Sequence, residues 1–130
     1  MIGLDTNVLV RFLTQDDPAQ AAQATALIAT LTEDRPGFLS REVMLETVWV
    51  LYGSYTYSRM EIADALSAVL EAREFVVEDP SRVARALERY RQGGAGFADH
   101  MIALAGEAVG CETVMTFDRK AARAEGFTEM

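Results

Sequence analysis

The chain has 130 residues, half of them apolar, and a formal net charge of −8 at pH 7. A chain of this length and apolar content forms one domain around a core of its own, which excludes a disordered protein. The single cysteine, Cys111, excludes an intrachain disulfide, and no apolar run approaches the roughly 18 residues that a membrane helix needs. Since Asp5 also interrupts any signal peptide, we expect a cytoplasmic protein with one domain over residues 1–130 and no membrane partner.

The first half of the chain alternates between predicted strands and helices. Residues 1–4 are apolar and predict a buried strand, and Asp5, Thr6 and Asn7 form the polar turn before the next element. Asp17 and Pro18 are typical of the start of a helix. The further elements expected here are a helix over 8–13, a helix from 16 to about 31, a strand at 38–40 and a helix over 41–53.

The second half continues the same alternation. Ser58 with Glu61 three residues later is the sequence signature of a capping box, so a helix starts there and ends near residue 73. Gly110 is a suitable C-cap for the helix that precedes it. The remaining predictions are a strand at 75–77, helices over 80–92, 97–109 and 118–124, a glycine-rich turn at 93–96, and strands at 113–115 and 127–129.

This order of elements predicts an α/β fold. Short apolar strands alternating with helices favour a central parallel sheet of four or five strands, with helices on both faces. In such sheets, ligand sites lie beyond the carboxyl ends of the strands. Acidic residues that directly follow a strand therefore become the first candidates for function.

Four acids occupy positions of this kind. Asp5 follows the first strand, Asp118 follows the fourth, and Asp99 lies in the first turn of a helix after the glycine-rich turn. Glu46 has mostly apolar neighbours in a helix, where a core-facing carboxylate is costly unless it is paired or binds a metal. Carboxylates that converge repel one another unless a cation lies among them, and an all-oxygen ligand set favours Mg²⁺ or Mn²⁺ over zinc.

Each acid also has a purely structural explanation. Asp5 and Asp99 are suited to cap the helices that begin beside them, and Asp118 can pair with Arg119 or Lys120. Glu46 can form a salt bridge with an arginine, or a rotation of the helix can expose it to solvent. These explanations stay open at the level of the sequence, although three acids at strand-to-helix junctions together favour a shared site.

Other residues give weaker indications. His100 has no nucleophile or second histidine to pair with, which excludes a catalytic triad, and we expect it to be partly exposed. Cys111 is expected to be a small buried group. The basic residues nearest the candidate acids, and therefore the candidates for contacts with phosphate, are Arg11, Arg119, Lys120 and Arg123; Arg82, Arg85 and Arg89 are expected on a solvated helix face.

Four short segments together carry a family resemblance. They are Ile2-Gly3-Leu4-Asp5-Thr6-Asn7-Val8-Leu9-Val10-Arg11, Val43-Met44-Leu45-Glu46, Gly96-Phe97-Ala98-Asp99 and Thr116-Phe117-Asp118-Arg119-Lys120. In order and separation they resemble PIN-domain ribonucleases, specifically the VapC-type toxins of bacterial toxin–antitoxin pairs. His100 stands where the family pattern favours an apolar or small residue, which is a departure from it.

The resemblance implies a metal-dependent endoribonuclease. The family's acidic quartet maps onto Asp5, Glu46, Asp99 and Asp118, which would hold one or two Mg²⁺ or Mn²⁺ ions, with supporting residues Thr6, Asn7 and Thr116. The candidates for contacts with RNA phosphate, chosen for their position near these acids, are Arg11, Arg119 and Lys120. The resemblance also implies RNA as the substrate (tRNA, rRNA or mRNA), a VapB-type antitoxin as a partner, and a homodimer. Tyr52, Tyr55 and Tyr57 are candidates for either protein interface, with packing of Tyr52 in the core as its alternative.

Two other functions are the alternatives to a ribonuclease. A PIN fold that has lost activity would act only as a protein-binding module, which the intact acidic quartet disfavours. A magnesium-dependent phosphatase would require a second aspartate two residues after Asp5, where this chain has Asn7.

Overall fold

The structure, a computed structural model, describes all residues from Met1 to Met130. Its elements are β1 (Ile2–Gly3), α1 (Thr6–Thr14), α2 (Pro18–Ala29), β2 (Gly37–Leu39), α3 (Arg41–Gly53), α4 (Arg59–Glu71), β3 (Phe75–Val77), α5 (Pro80–Arg91), α6 (Phe97–Ala108), β4 (Val114–Thr116), α7 (Arg119–Ala122) and β5 (Phe127–Glu129). The predicted α/β class is confirmed. The chain forms two compact units, which we call the N-unit (Met1–Pro80) and the C-unit (Ser81–Met130).

The N-unit is built on a three-stranded parallel sheet in the order β1-β2-β3. Ile2 pairs with Gly37 and Gly37 with Phe75, so the three strands are in register and their carboxyl ends lie at one edge. Gly37 in the central strand is closely packed, because an added Cβ would lie 2.8 Å from Leu31 Cδ1 and 2.9 Å from Leu4 Cδ1, and both leucine side chains would have to move. The fully buried side chains of this unit include Leu9, Leu39, Met44, Leu51, Ile62 and Leu66.

Polar side chains start every helix of the N-unit. Asp5 and Asp17 cap α1 and α2, Ser40 caps α3, and Ser58 with Glu61 forms a complete capping box on α4. Each cap satisfies a backbone N–H group that has no partner within its helix. The predicted boundary of α4 at Ser58 is therefore confirmed.

The C-unit contains α5, α6 and α7 with a two-stranded parallel sheet, in which Val114 pairs with Phe127 and Thr116 with Glu129. The rings of Tyr90 and Phe97 meet edge to face with their centroids 6.3 Å apart. Every strand pairing is parallel, as predicted, but the strands form one ladder of three in the N-unit and one of two in the C-unit. Each strand has only two or three residues, so the ladders are short.

Two expectations about single residues are wrong. His100 is only 5% exposed, because it shares the buried face of α6 with Phe97, Met101 and Leu104. Cys111 is exposed, since it follows the end of α6 and the left-handed Gly110, where the chain turns back toward β4. None of the helices is both long and apolar enough to cross a membrane.

Candidate active site

Asp5 lies at the carboxyl edge of the N-unit sheet. It is exposed, and it stands between the buried residues Leu4 and Thr6, which fix the backbone on either side of it. Its Oδ1 accepts a hydrogen bond of 2.7 Å from the Thr6 backbone N–H, so Asp5 is the N-cap of α1. The capping role considered from the sequence is therefore real, and it occupies one of the two carboxylate oxygens.

Glu46 lies in the second turn of α3 and is exposed. The expectation that Glu46 faces the core is wrong. The buried positions of α3 are Met44, Thr47, Val48 and Leu51, and Glu46 lies on the opposite side of the helix. Residues that neighbour one another in sequence do not share a face of a helix, whereas residues three or four apart do. On its exposed face Glu46 is one turn from Glu42 and one turn from Trp49, which is 77% exposed.

Asp99 and Asp118 begin two helices of the C-unit. Asp99 is half-buried in the first turn of α6, where its Oδ2 accepts a 3.0 Å hydrogen bond from the Gly96 backbone N–H. Asp118 is the exposed N-cap of α7, and its Oδ1 accepts from the backbone N–H groups of Lys120 at 2.8 Å and Ala121 at 3.2 Å. Asp118 forms no ion pair with Arg119 or Lys120, the pairing considered from the sequence, and the Arg119 guanidinium lies 3.5 Å from Glu129 instead.

Three of the four acids thus share one arrangement. Asp5, Asp99 and Asp118 each bond backbone N–H groups at a helix N-terminus through a single carboxylate oxygen. The other oxygen of each makes no hydrogen bond or ion pair, and Glu46 forms no ion pair at all. Capping and metal binding are therefore compatible at these positions, because a helix N-terminus uses one oxygen and leaves the second for a cation.

Within neither unit do three or more Asp, Glu, His or Cys side chains come together as a group that could hold a metal ion. Asp5 and Glu46 belong to the N-unit, and Asp99 and Asp118 belong to the C-unit. The chemistry of these donors nevertheless suits Mg²⁺ or Mn²⁺, since all are carboxylates with unused oxygens. Convergence of all four acids stays a prediction.

The predicted supporting residues hold the backbone around these acids. The buried Thr6 gives its N–H to Asp5, and the exposed Asn7 lines a shallow pocket between α1 and α2. In the C-unit, the Thr116 hydroxyl accepts a 3.0 Å hydrogen bond from the Asp118 backbone N–H. Together with the cap on α7, this bond fixes the direction in which Asp118 leaves β4.

Arg11 belongs to a polar cluster that the sequence did not reveal. Its guanidinium donates to Gln20 at 2.7 Å, to Tyr55 at 2.8 Å and to Asp16 at 3.2 Å. Tyr55 and Thr14 also donate to Asp16, and these hydrogen bonds hold the pKa of Asp16 below its usual value. A phosphate contact by Arg11 would therefore compete with three acceptors that it already has.

A second pairing that sequence reasoning missed lies at the carboxyl end of β3. Glu78 accepts a 3.0 Å hydrogen bond from the Arg41 backbone N–H and lies 3.3 Å from the Arg41 guanidinium. An acid after a strand is thus not by itself a free ligand, because Glu78 stands at the same sheet edge as Asp5 and is neutralised. The sequence does not distinguish these two acids, whereas the contact of Glu78 with Arg41 in the tertiary structure does.

Comparison with known proteins identifies a family and a relative. The sequence model of the family described as "PIN domain" matches residues 2–126 of this chain. A protein named "VapC ribonuclease" from Aquifex aeolicus (strain VF5) is 24% identical over 117 residues, which covers 90% of this chain and 87% of that protein.

Proposed function

Since the chain belongs to the PIN-domain family, we propose that it is a metal-dependent endoribonuclease of the VapC toxin type, which hydrolyses phosphodiester bonds of RNA. The nuclease assignment rests on the family and on the similarity to a VapC ribonuclease over 90% of the chain. The four acids that the sequence singled out supply the reactive groups: Asp5, Glu46, Asp99 and Asp118.

The proposal depends mainly on one observation, which is that each acid capping a helix has one carboxylate oxygen without a hydrogen bond. Asp5, Asp99 and Asp118 are held by hydrogen bonds to backbone N–H groups, so their carboxylates are oriented before any ligand arrives. Pre-oriented ligands lose little conformational freedom on binding, which favours a tightly held cation. Glu46 is the exception, because it is an exposed helix side chain without a fixed partner.

The four carboxylates would hold one or two Mg²⁺ or Mn²⁺ ions. Held there, such an ion would supply Lewis-acid chemistry for the scissile phosphate and for a water molecule. The protein's own residues hold the ligands in place: Thr6 fixes Asp5 and Thr116 fixes Asp118. A carboxylate whose second oxygen is not engaged as a ligand can accept a proton from the attacking water.

The RNA substrate is proposed to be structured RNA, such as tRNA, rRNA or mRNA, cut where its bases are unstacked. Loops and single-stranded ends expose the phosphodiester backbone that a shallow acidic site requires. A protein with a net charge of −8 repels a polyanion, so cations at the site and local basic residues must offset this field. Lys120, which is exposed beside Asp118, is suited to such a contact, whereas Arg11 is already engaged.

A VapB-type antitoxin and a second copy of this chain are the proposed protein partners. Trp49 and Tyr52, which are 77% and 59% exposed on α3, offer large apolar area for such contacts. The alternative of Tyr52 as a core residue is wrong. The same exposed side chains are the specific support for the second candidate function, a PIN-fold protein-binding module without activity.

Cleavage assays on two substitutions test the nuclease proposal. Asp5→Asn and Asp99→Asn each keep an oxygen that accepts the N-terminal hydrogen bond, but they lose the negative charge that a cation requires. We expect Mg²⁺-dependent RNA cleavage to fall at least a hundredfold in each variant, while the circular dichroism spectrum and melting temperature stay near those of the wild type.

Asp34→Asn is the matched control, because Asp34 is an exposed acid of the turn before β2 and lies outside the candidate site. It should cleave RNA like the wild type. Full activity in both Asp5→Asn and Asp99→Asn would refute the assignment of the site. A wild-type protein that binds an antitoxin but cleaves no RNA in the presence of Mg²⁺ or Mn²⁺ would favour the binding module.

A further inference from the structure

A cavity of about 380 Å³ lies within the C-unit. Its walls come from the end of α5, the glycine-rich turn and the short helix α7 with the residues after it. The residues that give it chemical character are Arg89, Gly93, Gly94, Lys120, Arg123 and Glu125. Three of these six are cations and one is an acid, in a chain whose acids outnumber its bases by 20 to 12.

The positive charge of this cavity is only partly neutralised. The Arg89 guanidinium lies 3.5 Å from Glu125 and is mostly buried, with 18% of its side chain exposed. Lys120 and Arg123 are exposed and form no ion pair with any carboxylate. The cavity therefore presents two uncompensated cations in a protein whose overall field is negative, which is the local arrangement that attracts an anion.

Lys120 and Arg123 belong to one short segment, which consists of α7 and the residue after it. Lys120 and Arg123 are three residues apart, a spacing that puts side chains on the same side of a helical turn. Ala121, between them, is buried and anchors the segment, and Asp118 caps its start through the Lys120 and Ala121 N–H groups. The same short segment thus carries a candidate metal ligand and, two and five residues later, the cations of the cavity.

The glycine-rich turn forms a part of the cavity wall that has no side chains at Gly93 and Gly94. Gly93 and Gly94 have φ angles of 87° and 81°, which L side chains rarely adopt, and an added Cβ would meet nothing within 4 Å at either position. Glycine is therefore required by the backbone conformation and not by crowding. The absence of side chains lets a ligand in the cavity come close to this turn, while the Gly93 N–H stays bonded to the Tyr90 carbonyl at 3.2 Å.

We infer that this cavity is a phosphate subsite, which binds a backbone phosphate of the RNA strand next to the phosphate that is cleaved. The inference rests on the proposed function, and it assigns Lys120 and Arg123 to binding of the substrate. RNA is favoured over an acidic peptide because the cations follow Asp118 on one short segment, so a strand held at Asp118 would bring its neighbouring phosphates toward them. A guanidinium and an ammonium are also the two side-chain groups that most often bind phosphate.

The test is a double variant, Lys120→Gln/Arg123→Gln, compared with Arg35→Gln/Arg73→Gln. The control removes two positive charges from exposed arginines of the N-unit that do not line the cavity. Binding of a single-stranded RNA oligonucleotide is measured against salt concentration in the Asp5→Asn background. We expect the slope of log K against log[salt] to fall by about 0.7 for each phosphate that the cavity variant no longer binds, and to stay unchanged in the control.

A direct readout is independent of cleavage. Inorganic phosphate titrated into ¹⁵N-labelled protein with EDTA present should shift the backbone amide signals of Gly93, Gly94 and Lys120, and the double variant should abolish these shifts. Glu125→Gln should do the opposite and strengthen binding of phosphate, because it removes the only acid that lines the cavity and frees Arg89. In the active enzyme, the double variant should raise KM severalfold and leave kcat unchanged.

The outcomes separate this inference from the proposed function. Cleavage of RNA by the wild type, with the cavity and control variants equally active and the same salt slope, overturns the phosphate subsite and leaves the nuclease standing. Phosphate shifts that depend on Lys120 and Arg123 in a protein that cleaves no RNA support phosphate binding in the cavity but refute the nuclease, and with it the role of the cavity as a subsite beside a cleaved phosphate. Shifts caused by an acidic peptide, with none from RNA or phosphate, would overturn the subsite in favour of a protein contact.

Discussion

At the scale of single residues, the candidate site depends on how a carboxylate divides its two oxygens. Asp5, Asp99 and Asp118 each give one oxygen to a helix N-terminus, where the partial positive charge of the helix favours an anion. That interaction stabilises the fold and orients the side chain at once. Glu78 gives both oxygens to Arg41, one to its backbone and one to its guanidinium, and is no longer available as a ligand.

A pH-dependent contribution to stability is expected from Asp16. Hydrogen bonds from Tyr55 and Thr14, with the nearby Arg11 charge, lower its pKa from 3.8. The folded state therefore binds this proton less readily than the unfolded state, so the stabilisation is present at neutral pH and is lost as the pH falls below about 4 through the folded-state pKa. Chemical denaturation of the wild type and Asp16→Asn should show a gap in unfolding free energy at pH 7 that narrows toward pH 3.

Tyr55→Phe supplies a comparison, because it removes the hydroxyl that donates to Asp16 and accepts from Arg11 and leaves the Asp16 carboxylate in place. It should lower stability at pH 7 and shrink the same pH-dependent gap. A gap that stays constant from pH 7 to pH 3 in Asp16→Asn would show that the Asp16 carboxylate is not stabilised by these contacts.

At the scale of elements, the helices begin where polar caps stand and face the core where their apolar residues recur. Helix α3 illustrates both points: Ser40 caps its start with a 3.2 Å hydrogen bond from Val43, and its buried positions repeat at helical spacing. The position of Glu46 follows from that spacing, because residue 46 cannot share the face of residues 44, 47, 48 and 51. The exposed face carries Glu46 and Trp49.

Removal of the N-cap of α4 tests how much a polar cap contributes to the unfolding free energy. In the capping box, Glu61 N–H donates to the Ser58 hydroxyl at 3.1 Å, and Ser58 N–H donates to the Glu61 carboxylate at 2.9 Å. Ser58→Ala should lower the unfolding free energy by about 1 kcal/mol, measured by urea denaturation. Ser58→Asp keeps an accepting oxygen and should be close to the wild type; an equal loss in both variants would argue against the cap as the cause.

At the scale of the whole molecule, the net charge of −8 makes stability and ligand binding interdependent. A ligand that binds only the folded protein raises its stability by an amount that grows with the ratio of ligand concentration to Kd. Divalent cations at carboxylates would do this and also relieve the repulsion among 20 acidic residues. Metal binding is thereby measurable without any RNA.

Thermal unfolding with and without Mg²⁺ or Mn²⁺ checks this expectation. At a concentration a hundred times the Kd, the cation should add about 2.7 kcal/mol to the unfolding free energy, which raises the melting temperature by several degrees. Asp5→Asn and Asp99→Asn should lose most of this increase, and Asp34→Asn should keep it. An equal increase from NaCl at matched ionic strength would assign the effect to screening and not to a metal site.

The order and type of the elements follow from local sequence, because caps, glycines and apolar spacing act over only a few residues. Local patterns located α3 at 41–53 and β3 at 75–77, and the resemblance to the PIN-domain family is confirmed. The pairing of polar groups depends instead on tertiary packing, since Arg11 with Tyr55 and Arg41 with Glu78 join residues 44 and 37 positions apart. Burial depends on it in the same way: His100 and Cys111 have the opposite exposure from that expected, because exposure is set by the segments packed around a residue and these are distant in the chain.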